Sequence, residues 1–197
     1  MKKYFVLITA VIIAQLLGGC KKVPQAELDA ASLALQQAKS AGADVYLVAD
    51  YQALQDSLNV IKVSFETQKG RIFRNYKEPK QKLTDVSAKA SELVNKTETR
   101  KTEIKNEVQS TQNSVMNIMA ENNKLLAMAP RGKEGKQAID AITSDLNMIN
   151  ASVNDVPVLL ENGELLSAQT KINAAQQKAA EINTELKTVV EKYARKR

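Results

Sequence analysis

Residues 80–129 contain neither glycine nor proline, and apolar side chains recur through them every three or four positions. Leu83, Val86, Ala90, Leu93 and Thr97 open the series; Arg100, Ile104, Val108, Thr111, Val115, Ile118, Asn122, Leu125 and Ala129 continue it. With 3.6 residues per turn, such spacing puts the whole series on one stripe of an α-helix. A strand, whose side chains alternate with a period of two, would scatter it over both faces. The stripe is thin, since from Asn95 to Asn113 its only large aliphatics are Ile104 and Val108. Two successive four-residue steps at Ile104 form a stutter, which unwinds a coiled coil locally. A long helix with one narrow apolar stripe gains its stability from helices laid along that stripe. Counted from Arg71 to Met128, this helix would be about 85 Å long.

The remaining glycines and prolines divide the rest of the chain into shorter segments with the same periodicity. Leu28, Ala31, Leu35 and Ala38 mark a helix from Pro24 to Ala41, closed by Gly42. Tyr51, Leu54, Leu58, Ile61 and Phe65 mark a second, from Ala49 to Lys69, followed by Gly70. Pro79 is expected to kink or reset the start of the long third helix. Beyond the loop Ala129–Gly135, Ile139, Ile142, Leu146, Ile149, Val153, Val156 and Leu160 mark a fourth helix, with Pro157 bending its last turn. After Gly163, Leu165, Ala168, Ile172, Ala175, Ala179, Ile182, Leu186, Val189 and Tyr193 mark a fifth. Short connections make successive helices antiparallel neighbours. The predicted fold class is therefore all-α: an elongated antiparallel helical bundle or coiled-coil-like rod of about five helices, one of them very long and central. Residues 20–95 form one lobe and 96–197 a second, sharing the long helix. The aromatics Tyr51, Phe65, Phe73 and Tyr76 are expected to build the bulkiest core, in the first lobe.

The N-terminus has a separate character. Lys2 and Lys3 precede an apolar run from Tyr4 to Leu17, broken only by Gln15. Its helical length of about 21 Å is short of the roughly 30 Å hydrocarbon core of a bilayer. It suits the hydrophobic region of a signal peptide, here residues 1–19. Leu17-Gly18-Gly19-Cys20 follows. This tetrapeptide resembles the lipobox of bacterial lipoproteins. That resemblance implies cleavage between Gly19 and Cys20, a diacylglycerol on the Cys20 sulfur and an acyl chain such as palmitate on its new amine. Cys20 is the only cysteine in the chain, so acylation would leave no thiol to pair wrongly. Lys21 and Lys22, rather than an aspartate, follow it. By the same resemblance, the protein is expected in the cell envelope, on the periplasmic face of the outer membrane where the source has two membranes. The lipobox, Pro24, Leu28, Ala31, Ala38, Ser40-Ala41-Gly42-Ala43 and a hairpin at Gly70 together resemble a loose group of helical envelope lipoproteins of uncharacterised function, which implies no chemistry.

Composition narrows the function further. The chain has no histidine and no tryptophan. Histidine-based triads and histidine metal sites are thereby excluded, and lipidation of Cys20 removes thiol chemistry as well. Glu103 and Glu107, one turn apart, could touch a cation, but a solvated face balanced by Lys101 and Lys105 is the expected arrangement. The net charge is +6, falling to about +4 without Lys2 and Lys3, too mild an excess to imply nucleic acid. Two basic patches stand out as candidate contacts for anionic material: Lys69, Arg71, Arg74 and Lys77 near the first hairpin, and Arg195, Lys196 and Arg197 in the tail. The expected function is a lipid-anchored, non-enzymatic structural or adaptor protein. It would carry no cofactor beyond its lipid and would meet an envelope protein partner through its helical surface. An envelope-polymer or anionic-lipid binding module is the alternative.

Overall fold

The computed structural model describes residues 22–130 and 135–195, and among these every regular element is a helix. They are α1 (Gln25–Ser40), α2 (Ala43–Tyr46), α3 (Val48–Lys69), α4 (Lys77–Met128), α5 (Gly135–Glu161) and α6 (Leu165–Ala194). The signal-peptide and lipidation readings, which concern residues 1–20, lie outside the described residues, as do Lys196 and Arg197. No described helix is long and apolar enough to cross a membrane. The chain divides into two compact units, Met1–Thr99 and Arg100–Arg197, and α4 contributes to both. At 52 residues, α4 is about 78 Å long.

The first unit is built on the stripe the repeat predicts. Leu83, Val86 and Ala90 of α4 pack with Ala31, Ala34 and Leu35 of α1 and with Leu58, Ile61 and Phe65 of α3. A smaller cluster of Ala38, Ala43 and Leu93 closes the far end, flanked by Leu47, Tyr51 and Leu54. The tight turn there uses Gly42 at φ 91°, a left-handed conformation in which a Cβ would be strained. It leads into α2, a four-residue helix that periodicity did not reveal because it is barely one turn long.

The connection between α3 and α4 departs from expectation. The long helix begins at Lys77, not Arg71. Asn75 sets this start: its side-chain Oδ1 accepts the Lys77 N–H at 3.1 Å, an Asx turn ahead of the first helical turn. Pro79 is the third residue of that turn, where a backbone N–H has no helical acceptor anyway, so its missing donor costs little. The predicted aromatic core is also only partly right. Phe65 and Tyr76 meet edge to face, ring centroids 5.6 Å apart and planes at 71°, and Tyr51 is half-buried. Phe73, by contrast, is 91% exposed, because it sits in the connection rather than on a helical stripe.

In the second unit the stripes of three helices meet. Ile104, Val108 and Val115 of α4, Ile142, Leu146, Ile149, Val153 and Val156 of α5, and Leu165, Ala168, Ile172, Ala175, Ala179, Ile182 and Leu186 of α6 are all buried. α5 runs through Pro157 to Glu161. It ends in a Schellman turn: the Glu164 N–H reaches Leu159 O at 2.8 Å and the Gly163 N–H reaches Leu160 O at 3.2 Å, with Gly163 at φ 79°. α6 then returns antiparallel to α5, tied by Lys171–Asp155 at 2.7 Å and Lys178–Asp145 at 3.1 Å.

Against α4, α6 runs parallel and in register. Gln169 donates to Glu107 at 2.6 Å, Gln176 to Ser114 at 3.3 Å, and Asn183 to the Oδ1 of Asn122 at 2.8 Å. The separations along the chain are 62, 62 and 61 residues, so α6 advances by heptads while α4 advances by seven residues and then eight. Asn122 is fully buried, and its Nδ2 also donates to Ala179 O at 2.9 Å. Lys187 closes the ladder on Glu121 at 3.0 Å.

Asn122→Ala removes its hydrogen bonds to the Asn183 amide and the Ala179 carbonyl and leaves a cavity at a fully buried position, and is expected to cost about 1–3 kcal/mol in urea unfolding. Gly163→Ala forces a Cβ into the left-handed region and is expected to cost about 1–2 kcal/mol. Gly70→Ala, at φ −79° with no atom within 4 Å of the added Cβ, is expected to be neutral or to stabilise by up to about 1 kcal/mol in the same measurement.

Candidate functional site at the α3–α4 connection

Residues 70–76 join α3 to α4, and their shape follows from a few polar contacts at the base. The Arg74 guanidinium donates to Lys69 O at 2.9 Å, satisfying a carbonyl that the end of α3 leaves without a helical partner. The Arg71 N–H reaches Gln68 O at 3.0 Å, and the Asn75 N–H reaches the Gln68 side chain at 2.9 Å. With Asn75 also starting α4, both ends of the connection are fixed. Tyr76 is buried behind it against Phe65. Its hydroxyl is buried with no hydrogen-bond partner among the described residues. Between the fixed ends, Ile72 is 93% exposed and Phe73 91%.

The structure sorts the basic patch around this connection. Lys69 is bound to Glu66 at 2.6 Å, Lys80 to Glu27 of α1 at 2.7 Å, and Lys82 to Glu78 at 2.8 Å. Hydrogen bonds from Lys80 and Lys82 hold the carboxyls of Glu27 and Glu78 below their ordinary value of 4.5. Arg71 and Lys77 carry no ion pair among the described residues, and Arg74 spends its guanidinium on a neutral carbonyl. Four predicted contact residues, Lys69, Arg71, Arg74 and Lys77, are thus brought together, with net positive charge concentrated on the last three. Ile72, placed between two arginines, was missed: reading the helix from Arg71 gave it a helical position instead of a loop tip. In the tail, Arg195 is exposed and lies 4.0 Å from Glu191.

A second surface lies between α5 and α6, an open groove of about 710 Å³. Met148, Ile149, Leu166 and Ala175 line its floor, and Asp145, Lys171 and Lys178 stand at its rim. Met148 is 58% exposed and Leu166 40%. Neither lies on the core stripes, so the periodicity that identified the core passed over both.

Glu103 and Glu107 converge on a cation supplied by the chain itself. Arg100 reaches Glu103 at 3.2 Å and Glu107 at 3.0 Å, and the two hydrogen bonds, that to Glu107 first, raise the guanidinium pKa further. The balancing group is Arg100, one turn before Glu103, a residue assigned to the stripe in the sequence reading. No family model matches this chain, and neither does any curated protein or solved structure.

Tyr76→Phe removes a buried, unpartnered hydroxyl while keeping the ring contact, and is expected to raise stability by about 1 kcal/mol. The depressed Glu27 and Glu78 carboxyls contribute stability above their unfolded pKa, and it is lost as pH falls through the folded values. Melting temperature is therefore expected to drop between pH 7 and pH 3, with a smaller drop in the Glu27→Gln, Glu78→Gln double variant.

Proposed function

We propose that this chain is a lipid-anchored cell-envelope protein with a non-enzymatic structural or adaptor role, held to a membrane through Cys20 and meeting a protein partner on its helical surface. The anchor rests on sequence: Lys2-Lys3, the apolar run to Leu17 and Leu17-Gly18-Gly19-Cys20 stand in the order and spacing of a lipoprotein signal. Lys21-Lys22 favours the outer membrane of a source with two membranes. The adaptor half is carried by the α5–α6 groove, where Met148 and Leu166 hold apolar surface open to solvent between charged rims. Methionine's flexible, polarisable side chain suits such a surface, since it moulds to a partner at little cost.

Cys20→Ser is expected to abolish incorporation of labelled palmitate and to leave a full-length precursor. Wild-type protein is expected to stay with membranes in high salt, because two or three acyl chains hold firmly while surface charge is screened. Normal processing of the Cys20→Ser variant would defeat the anchor. For the adaptor role, a photoreactive phenylalanine analogue at position 166 is expected to crosslink one envelope protein in stoichiometric yield, and Met148→Lys to abolish the crosslink. A crosslink indifferent to Met148→Lys, or none at all, would defeat the groove as a partner surface.

A further inference from the structure

We infer that the Ile72–Phe73 tip enters the interfacial layer of the bilayer that holds the anchor, with Arg71 and Lys77 on anionic headgroups. This rests on the lipid-anchor reading above. The first observation is exposure. Of the two phenylalanines beyond residue 20, Phe65 is 2% exposed and Phe73 is 91% exposed, next to Ile72 at 93%. An isolated apolar side chain on a surface is ordinary, but two adjacent large ones, each almost wholly in water, are not explained by packing. The tip is held outward. The Arg74–Lys69 O and Asn75–Gln68 hydrogen bonds close its base, and the Phe65–Tyr76 pair fills the core position behind it.

The second observation is where this tip sits within its unit. α1 and α3 run in opposite directions, so the end of α3 lies beside the start of α1. Glu27, in the first turn of α1, is bound to Lys80 in the first turn of α4. Val23 and Leu28 pack on the cluster that holds Phe65 and Tyr76. Four residues, and so five Cα-to-Cα steps, separate Cys20 from Gln25, a reach of at most about 18 Å. A lipid on Cys20 therefore keeps this end of the unit within that reach of the bilayer. The third observation is charge. The nearby carboxylates Glu66, Glu27 and Glu78 are each taken by a lysine, which leaves Arg71 and Lys77 free to face phosphate-bearing headgroups. An apolar tip flanked by long cationic side chains matches the interface, where apolar groups sink and charges stay at the headgroup level.

The test uses the absence of tryptophan from the chain, which makes one introduced indole the only one to report. The full lipid-bearing protein carrying Phe73→Trp is reconstituted into vesicles of phosphatidylethanolamine and phosphatidylglycerol and floated on a density gradient. A second protein carries Val48→Trp, at the opposite end of α3 and about 33 Å away along the helix. The expected result is that both proteins float, that the indole at 73 shifts to the blue and is quenched by lipids brominated in the upper acyl chain, and that the indole at 48 is not. Quenching should weaken in vesicles of phosphatidylcholine alone, and in Arg71→Gln, Lys77→Gln protein in the anionic vesicles. Flotation with no quenching at 73, or equal quenching at 73 and 48, overturns the tip assignment and leaves the anchor standing. Quenching at 73 that ignores both headgroup charge and the double substitution overturns the role of Arg71 and Lys77. Failure to float overturns the anchor and the tip together.

Discussion

The structure depends on one constraint: α4 is 52 residues long and carries a single apolar stripe. Such a helix cannot bury that stripe against itself, and water satisfies its other faces equally well whether or not it is folded. Leu83, Val86, Ala90 and Leu93 at one end, and Ile104, Val108 and Val115 further along, are fully covered only because α1, α3, α5 and α6 supply matching stripes. Each of those helices has the same problem and the same solution, so the core of each unit is a seam between stripes.

A seam of aliphatic side chains says little about register, since one heptad of apolar residues resembles the next. In the second unit the polar flank settles it. Gln169, Gln176 and Asn183 meet Glu107, Ser114 and Asn122 at a nearly constant offset, and only Asn122 is taken wholly out of water. Exposed rungs of this kind contribute little each, because water competes for them. The buried amide is different: displaced from Ala179 O and Asn183, it would carry the full cost of desolvation. A polar residue at a seam position thus exchanges some stability for a single alignment.

Much of this was legible beforehand, because periodicity reports which residues share a face. Most stripe positions of α4, α5 and α6 are buried, Thr97 and Asn122 included, while Arg100, Thr111, Ile118, Leu125, Ile139, Leu160 and Val189 are half-buried and Tyr193 is exposed. Periodicity failed where its assumption failed. The residues 70–76 contain no proline and only one glycine, so the pattern ran a helix through them, and an Asx turn at Asn75 stopped it. Phe73 followed that error, since an aromatic was assumed to be buried wherever it fell. The pairing of Glu27 with Lys80, and of Arg100 with Glu103 and Glu107, could not be chosen from a sequence offering many alternative charges on each face. The basic cluster was visible as composition, but its division into paired and unpaired members required the fold. The α5–α6 groove was invisible for a related reason, since Met148 and Leu166 lie off the stripes that periodicity detects.

The Schellman turn at Gly163 has a consequence for how the second unit finds its native arrangement. α5 and α6 are joined by a turn whose own hydrogen bonds are local, and they close on each other after a short search. α4 joins α6 through partners 61 or 62 residues away, and such distant contacts are slower to form. Contacts across the hairpin are local and those between α4 and α6 are not, so α4 must find one register along α6 among several. Sliding by one heptad would set Asn122 beside Ile172 and Gln176 in one direction, or beside Leu186 and Val190 in the other. The search is reduced to a few discrete stops along one line, and a single side-chain amide tells the helix which of them to keep.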